Sequence, residues 1–339
     1  MYAHLSIHLV GIYKLVAETM HTELFTNAPV FDLLHKIFEK SSRQDVLDWI
    51  HTNAYGVVNW VCYSDYYLNK EKANNVLTFS FLPVVGSIQL YENLIRRLVP
   101  TEIKHARTVN PQFLSFLARG PFLNFSFILT NYKYLFFKTH RELTDFLIRE
   151  LQRMIDIIPT WIEHSQRNKN DYIHYQRDLV KIQRQIRDGH KIQLFRDMLL
   201  VASIGGYLSA AIADITHAEK MAWLSDRDAI NDLGKLLSTR VFHSIFTACT
   251  SNQSCEFFVA PARCKDKEWY HQFIKIPDYI TGALADFDMD ENVVSHEKFA
   301  TLLRNVIADN NHNILVYKMD FSSPPSCSRI IYTKNDCNF

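Results

Sequence analysis

The segment Val57–Asp65 is the feature that most narrows what this chain can fold into. Most of its residues are β-branched or aromatic and it is almost continuously apolar, which predicts a β-strand buried on both faces. The chain has 339 residues, 47% of them hydrophobic, and can therefore build a core large enough to cover such a strand. We expect an α/β protein with a central sheet.

Six further segments have the composition of strands and supply partners for this central strand. Val76–Leu82 follows it after a polar stretch, so the two segments are expected to pair as a long-looped hairpin. The other predicted strands are Leu123–Leu129, Lys220–Ser225, Glu256–Ala260, Ile314–Met319 and Arg329–Thr333. Together they predict a multi-stranded sheet.

Helical periodicity accounts for most of the remaining chain. Residues 1–53 are predicted to be helical, with Ser42 and Asp45 forming a capping pattern at the start of one helix. Thr139 and Glu142 form a capping box that opens a long helix. Further helices are predicted at Ile88–Leu98, Pro111–Ala118, 172–188, 197–216, 232–249 and 295–308.

These patterns divide the chain into four parts. Residues 1–53 form an N-terminal helical segment, and 54–134 form the first part of an α/β core. Residues 135–216 are interpreted as a helical insertion that carries a basic helix. Residues 217–339 form the second part of the core and a C-terminal tail.

The composition and net charge of the chain limit the functional classes to which it can belong. Lys and Arg total 37 against 36 Asp and Glu, so no overall field favours nucleic acid or an acidic surface. The six cysteines form no Cys-x-x-Cys pair, which argues against a zinc module and for a reducing cytoplasm. No secretion signal is expected, and the longest apolar run, Met198–Ala213, is shorter than a membrane span. We interpret that run as a buried, kinked helix, with a membrane span as the alternative.

Several common catalytic motifs are missing from the sequence. There is no Gly-x-Ser-x-Gly elbow, no phosphate-binding P-loop and no Gly-x-Gly-x-x-Gly after a predicted strand. Cys62 is expected to be a small buried apolar residue, and a nucleophile paired with a histidine is the alternative.

The segment Ile274–Phe287 carries the most suggestive polar pattern. Pro277 suits the first turn of a helix, because its missing N–H would have no partner there, so a helix is expected to begin near Asp278. Asp278, Gly282 and Asp286 are spaced four apart and share a face of that helix. Two acids flanking a bare glycine leave room for a backbone segment, a metal ion or another element. The alternative is that Asp278 only offsets the helix dipole.

Three acids occupy positions where functional groups gather in α/β proteins. Asp65 ends the first predicted strand, Asp226 follows the Lys220–Ser225 strand, and Asp278 opens the late helix. Acids at strand ends can converge, and clustered carboxylates repel one another unless a divalent cation joins them. Mg²⁺ or Mn²⁺ held there could activate water for phosphodiester hydrolysis. Asp226 could equally be a turn or helix N-cap residue.

Three short stretches carry a resemblance to a known family. They are the strand that ends in Asp65, the run Met221–Ser225 that leads into Asp226-Arg227-Asp228, and Ile276-Pro277-Asp278-Tyr279-Ile280-x-Gly282-Ala283. In these stretches the chain resembles a widespread bacterial family of uncharacterised proteins with a ribonuclease H-like (integrase-like) fold. In that family an Asp ends the first strand, an acid follows the fourth strand, and the last acid lies in a helix.

The resemblance implies a metal-dependent phosphodiesterase site at Asp65, Asp226 and Asp278, with Asp228 and Asp286 as further metal ligands. It also implies an α/β fold with a ribonuclease H-like mixed sheet core, to which this chain adds extensive helices. The matching stretches cover a little over a quarter of the chain and are short.

The sequence departs from the family pattern at two positions. Tyr66 follows the first Asp where the family usually has Glu, so one potential ligand is absent. Pro277 stands where the family has Ala. These departures leave open a scaffold that binds partners but no longer cleaves a substrate.

A basic helix is the predicted contact with nucleic acid. The stretch Arg167–Arg196 contains eight Lys or Arg and three Asp. Arg177, Lys181 and Arg184 fall opposite the apolar face of the predicted helix, and Arg227 lies beside the predicted acids. Basic side chains at this spacing suit a phosphate-tracking surface. The alternative is a solvated helix face.

The sequence therefore predicts a cytoplasmic, metal-dependent nuclease with Mg²⁺ or Mn²⁺ as cofactor and DNA or RNA as substrate. A role in defence against foreign nucleic acid would fit such a bacterial protein. The alternative is a non-catalytic ribonuclease H-like interaction or regulatory protein that binds a protein partner. Self-association is left open, and no membrane partner is expected.

Overall fold

The computed structural model describes most of the chain. The described residues are 13–15, 29–68, 71–164, 169–226, 229–230, 233, 237–259 and 270–337. Their strands are β1 (Tyr13–Leu15), β2 (Asn59–Tyr67), β3 (Asn75–Pro83), β4 (Leu123–Thr130), β5 (Lys220–Ser225), β6 (Glu256–Val259), β7 (Ile314–Asp320) and β8 (Ser326–Ile330).

Helices connect these strands and flank them. They are α1 (Pro29–Ile37), α2 (Arg43–Asn53), α3 (Ile88–Leu98), α4 (Pro111–Arg119), α5 (His140–His164), α6 (Lys169–Arg187), α7 (Ile192–Thr216), α8 (Leu237–Cys249), α9 (His271–Asp286) and α10 (Glu297–Leu302). A π-helical turn joins α1 to α2, and another extends α10.

All eight of these strands belong to one mixed sheet, in the order β1-β6-β5-β2-β3-β4-β7-β8. β2, β3 and β4 are consecutive antiparallel neighbours, whereas β5 lies parallel to the other side of β2 and β6 lies parallel to β5. β7 joins β4 in parallel, and β8 and β1 are antiparallel to β7 and β6. The predicted α/β class, the mixed sheet and the first hairpin are confirmed.

Helices cover both faces of the sheet because its central strands alternate two sets of buried side chains. On one face, Trp60 and Cys62 share a core with residues of α1, α2 and α5 to α8. On the other face, Val61 and Tyr63 share a core with residues of α3, α4, α9 and α10. The prediction that β2 is buried on both faces is confirmed. Burial raises the pKa of the Cys62 thiol, as expected for a core residue.

α7 is a central helix of the first core. Its most apolar stretch is long enough to span a membrane, but 83% of that stretch is buried inside the protein. Gly205 permits this close packing, because a Cβ there would lie 2.5 Å from a ring carbon of Phe242 and 2.6 Å from one of Phe79. The apolar run is therefore a core helix, and it shares its core with the sheet.

The expectation of helix throughout residues 1–53 is wrong, because Tyr13–Leu15 forms β1 and pairs with β6. Residues 1–12 and 16–28 lie outside the described part of the chain. Ser42 precedes α2 but does not cap it, and its hydroxyl instead accepts a hydrogen bond from the Tyr317 hydroxyl at 2.6 Å. Asp45 forms an ion pair with an arginine of β8. Both side chains that were predicted to cap α2 therefore interact with residues of distant strands instead.

Several other element boundaries agree with expectation, but α7 begins at Ile192, five residues before its predicted start. The bounds of α3 and β5 are as predicted. Half of the predicted capping box of α5 is formed, since the Glu142 N–H donates to the Thr139 hydroxyl at 3.2 Å. The Glu142 carboxylate accepts from the Lys138 N–H at 3.0 Å, one residue before the N–H that a capping box uses. β8 spans Ser326–Ile330 and so begins three residues before the predicted strand.

Gly205→Ala is expected to lower the free energy of unfolding by about 1–3 kcal/mol, because the added methyl group meets two packed rings. Urea denaturation followed by circular dichroism measures this loss. Phe242→Leu should relieve one of the contacts, so the double variant should lose less than the sum of the two single variants. Strictly additive losses would contradict the packing described for α7.

Candidate functional site

α9 begins seven residues before Asp278, so the predicted helix start is wrong. It spans His271–Asp286, and Pro277 lies inside it. A proline there removes one intrahelical hydrogen bond, but the residues ahead of it are buried on the sheet. Phe273, for example, stacks on Tyr63 of β2 with ring centroids 4.9 Å apart. This packing outweighs the preference of proline for the first turn of a helix. Because Asp278 lies in the middle of α9, the helix dipole at a first turn does not explain it.

Asp65 and Asp226 lie at the carboxyl ends of two neighbouring parallel strands. The last pair in register between β2 and β5 is Ser64 with Ser225, so the two aspartates are the next residues of their strands. β2 does not end at Asp65, as predicted, because its pairing with β3 continues for two more residues. Alternation along β2 directs Asp65 to the face that α9 covers. The Thr281 hydroxyl of α9 donates to its carbonyl oxygen at 3.4 Å.

Asp278 is half-buried, and its hydrogen-bond donor is a backbone N–H. Its Oδ2 accepts a hydrogen bond from the Ile103 N–H at 2.9 Å. Gly282, one turn along α9, makes room for the same residue, because a Cβ there would lie 3.0 Å from the Ile103 side chain. The spacing of acid and glycine thus accommodates a backbone segment, which is one of the options that the sequence pattern left open.

The segment Val99–Ala106, here called the strap, is held against α9 and α10 by side-chain donors. The ammonium groups of Lys275 and Lys298 donate to strap carbonyl oxygens at 2.7 to 2.9 Å. The Tyr279 hydroxyl donates to another at 3.1 Å. Both lysines are buried, so these carbonyl oxygens replace water as partners of the charged groups. The strap is therefore fixed relative to Asp278.

Burial raises the pKa of Asp278 to about 7. The negative charges of Glu102 and Asp226 raise this pKa further. The hydrogen bond from the Ile103 N–H and the positive charge of Lys104 act in the opposite direction and lower it. Two of the three predicted acids, Asp226 and Asp278, therefore interact electrostatically. A carboxyl group with a pKa near neutrality can accept or release a proton at physiological pH.

Glu102 and Lys104 are site residues that sequence reasoning missed. They flank Ile103 in the strap, on either side of the N–H that binds Asp278. Lys104 Nζ lies 2.6 Å from Glu102 Oε2, and His271 Nε2 lies 3.6 Å from Glu102 Oε1. The strap is short and irregular, and its contact with α9 joins positions 175 residues apart, so no local signal marks these residues.

The side chains near Asp278 do not form a metal-binding set by themselves. Within the part of the chain that the structure describes, no three His, Cys, Asp or Glu side chains lie close enough together to hold an ion. One oxygen of Asp278 is engaged by the strap. Asp286, a predicted further ligand, accepts hydrogen bonds from the Ser295 N–H and hydroxyl, both at 2.8 Å, and lies 3.8 Å from Lys72. It therefore fixes the loop after α9.

Arg227 and Asp228 lie outside the described residues. Asp226 directly follows β5, and α8 begins at Leu237. Asp226 is therefore not the N-cap of α8, and residues 227–228, 231–232 and 234–236 between them lie outside the described part of the chain.

The basic face of α6 lies in the helical layer opposite α9. Arg177, Lys181 and Arg184 are exposed, as a solvated or ligand-binding face requires. α6 packs in the core on the other side of the sheet from Asp278. A nucleic-acid contact on this face of α6 would therefore be separate from the acids.

Comparison of the chain with family models, with curated proteins and with solved structures found no match. The chemistry of the site therefore has to be inferred from its own geometry.

Asp278→Asn is expected to gain stability relative to the parent protein as the pH rises from 5 to 8. The folded-state pKa of about 7 lies above the ordinary value of 3.8. The stability that the carboxyl group contributes is thus complete below about pH 4 and is lost as the pH rises through 7. Asparagine keeps an acceptor for the Ile103 N–H and does not ionise. Urea unfolding in EDTA at both pH values should show a relative gain of about 1–3 kcal/mol.

Asp320 provides the control for this measurement. Hydrogen bonds from Asn131 and Ser322 lower its pKa, so it stays ionised throughout this interval. Asp320→Asn should therefore show the same stability difference from the parent at pH 5 and at pH 8. A pH-independent difference for Asp278→Asn would contradict the raised pKa of this carboxyl group.

Proposed function

We propose that this chain is a divalent-metal-dependent nuclease on a ribonuclease H-like sheet, with Asp65, Asp226 and Asp278 as its functional acids. One observation carries the proposal: Asp226, which follows β5, interacts electrostatically with Asp278 of α9, and α9 also hydrogen-bonds to the backbone carbonyl oxygen of Asp65 in β2. Mg²⁺ or Mn²⁺ is the proposed cofactor, and DNA or RNA is the proposed substrate. A cytoplasmic location belongs to the same proposal.

The order of the strands supports the ribonuclease H-like assignment. Counted from β2, Asp65 lies near the end of the first strand, Asp226 follows the fourth, and Asp278 lies in the helix after the fifth. This is the arrangement that the sequence resemblance implies. β1, β7 and β8 extend the sheet at its two edges, and α5 to α7 occupy the connection between its third and fourth core strands.

The acids have different surroundings and therefore different roles in the proposed reaction. Asp65 and Asp226 stand on adjacent strand ends and provide negative charge that favours a hard divalent cation. Asp278 is half-buried with a pKa near neutrality and can hold or release a proton beside Asp226. The described side chains do not complete a metal-ligand set, so no reaction step is assigned to an ion.

A second candidate is a non-catalytic protein on the same fold that binds a protein partner. One observation favours it: α3 exposes Leu90 (71%) and Leu94 (40%) one turn apart, with Val85 (54%) shortly before the helix. Exposed apolar stripes of this kind occur at protein interfaces. In this reading Asp278 serves only to fix the strap.

The parent protein is expected to cleave single-stranded or double-stranded DNA or RNA with Mg²⁺ or Mn²⁺ and not in EDTA. Asp65→Asn and Asp278→Asn should each lower the cleavage rate by about 100-fold or more, because each removes a charge from the proposed site. Asp286→Asn is the matched control, since Asp286 binds Ser295 instead. It should retain the parent rate once thermal unfolding confirms that it is folded.

Cleavage that persists when both Asp65 and Asp278 are changed would refute the assignment of these acids. A parent protein that cleaves none of these substrates with either metal would refute the nuclease proposal and favour the second candidate.

A further inference from the structure

The acids of the proposed site would repel a substrate phosphate. Asp65, Asp226, Asp278 and Glu102 are all acids of this region, and a phosphodiester brings a further negative charge. Like charges repel, so a substrate phosphate needs a cationic group within reach. The basic face of α6 does not supply it, because α6 packs on the opposite face of the sheet.

Three lysines near the strap are committed to other partners. Lys275 and Lys298 are buried and donate to strap carbonyl oxygens. Lys72 pairs with Asp286 and lies 4.5 Å from the ring centroid of Phe299. If one of these ammonium groups bound a phosphate, it would lose the hydrogen bonds or the ion pair that hold the strap or the loop after α9.

Lys104 differs from these lysines because its backbone is fixed while its side chain is 68% exposed. The preceding residue, Ile103, is held on both sides: its N–H donates to Asp278 and its carbonyl oxygen accepts from Lys298 at 2.8 Å. The Lys104 ammonium has three N–H donors, and Glu102 accepts one of them. The hydrogen bond to Glu102, together with the charges of Glu102, Asp278 and Asp226, raises the pKa of Lys104 and keeps it cationic.

We propose that Lys104 is a substrate-binding residue that contacts a phosphate of the nucleic-acid strand. The strap places the start of this side chain beside Asp278, and the exposed stem allows the ammonium group to reach a phosphate from solvent. The inference rests on the proposed function for its substrate class. It assigns the phosphate contact to the strap and leaves α6 outside the site.

Metal-free binding of a short fluorescent single-stranded DNA, and of the matching RNA, tests the proposal in EDTA. Lys104→Met should weaken binding about threefold to tenfold at low salt. It should also reduce the slope of log affinity against log salt by about 0.7, the value for one phosphate contact on a single strand. Lys104→Arg keeps the charge and should keep the parent slope.

Lys334→Met is the matched control. Lys334 is 70% exposed and lies 3.9 Å from Asp309, so it is a lysine paired with an acid at similar exposure in the C-terminal part of the chain. Its substitution should leave both affinity and salt slope unchanged. A Lys104→Met variant that binds with the affinity and salt slope of the parent would overturn the proposal. So would a Lys334→Met variant whose affinity and salt slope fall as much as those of Lys104→Met. A parent protein that binds neither strand would overturn it too.

The metal-free readout separates this inference from the nuclease proposal. A reduced salt slope in Lys104→Met, without cleavage by the parent, would support the phosphate contact and refute the nuclease. Cleavage that depends on Asp65 and Asp278, with unchanged binding and KM in Lys104→Met, would support the nuclease and refute the phosphate contact.

Discussion

The parallel pairing of β2 with β5 is the constraint on which the rest of this architecture depends. Parallel neighbours cannot be joined by a tight turn, so the chain between them must cross back over the sheet. It does so after adding β3 and β4, by way of α5, α6 and α7. The crossover helices help to cover one face of β2, and the pairing aligns two carboxyl strand ends. Asp65 and Asp226 become neighbours for that reason, although they lie far apart in sequence.

The strap adds a second layer of organisation to this end of the sheet. Buried ammonium groups are costly unless they are hydrogen-bonded, and Lys275 and Lys298 meet that requirement through strap carbonyl oxygens. The loss of water around the Asp278 carboxyl group is less well compensated by hydrogen bonds. Its hydrogen bond from Ile103 does not cancel the effect of burial, because its pKa remains well above the ordinary value. A destabilising ionisable group among satisfied neighbours is characteristic of functional sites.

Sequence patterns predicted seven of the eight described strands because their signal is local, whereas β1 was predicted to be helical. A run of β-branched and aromatic residues such as Val57–Asp65 has few other ways to be buried. The start of α9 was not predictable from Pro277, since burial of the preceding turns decides where the helix begins. Asp65, Asp226 and Asp278 could be proposed from strand ends and helix spacing. Glu102 and Lys104 could not, because contacts spanning up to 195 positions hold the strap.

Asp278 meets two separate demands, and only one of them requires an acid. A side-chain amide oxygen could accept the Ile103 N–H with a smaller desolvation cost than a carboxylate. The room for Ile103 comes from Gly282, whichever residue stands at 278. What an amide cannot supply is an ionisable charge beside Asp226. Fixing the strap therefore does not explain why residue 278 carries a carboxyl group. A site that handles protons or cations does, which favours the nuclease over the non-catalytic alternative.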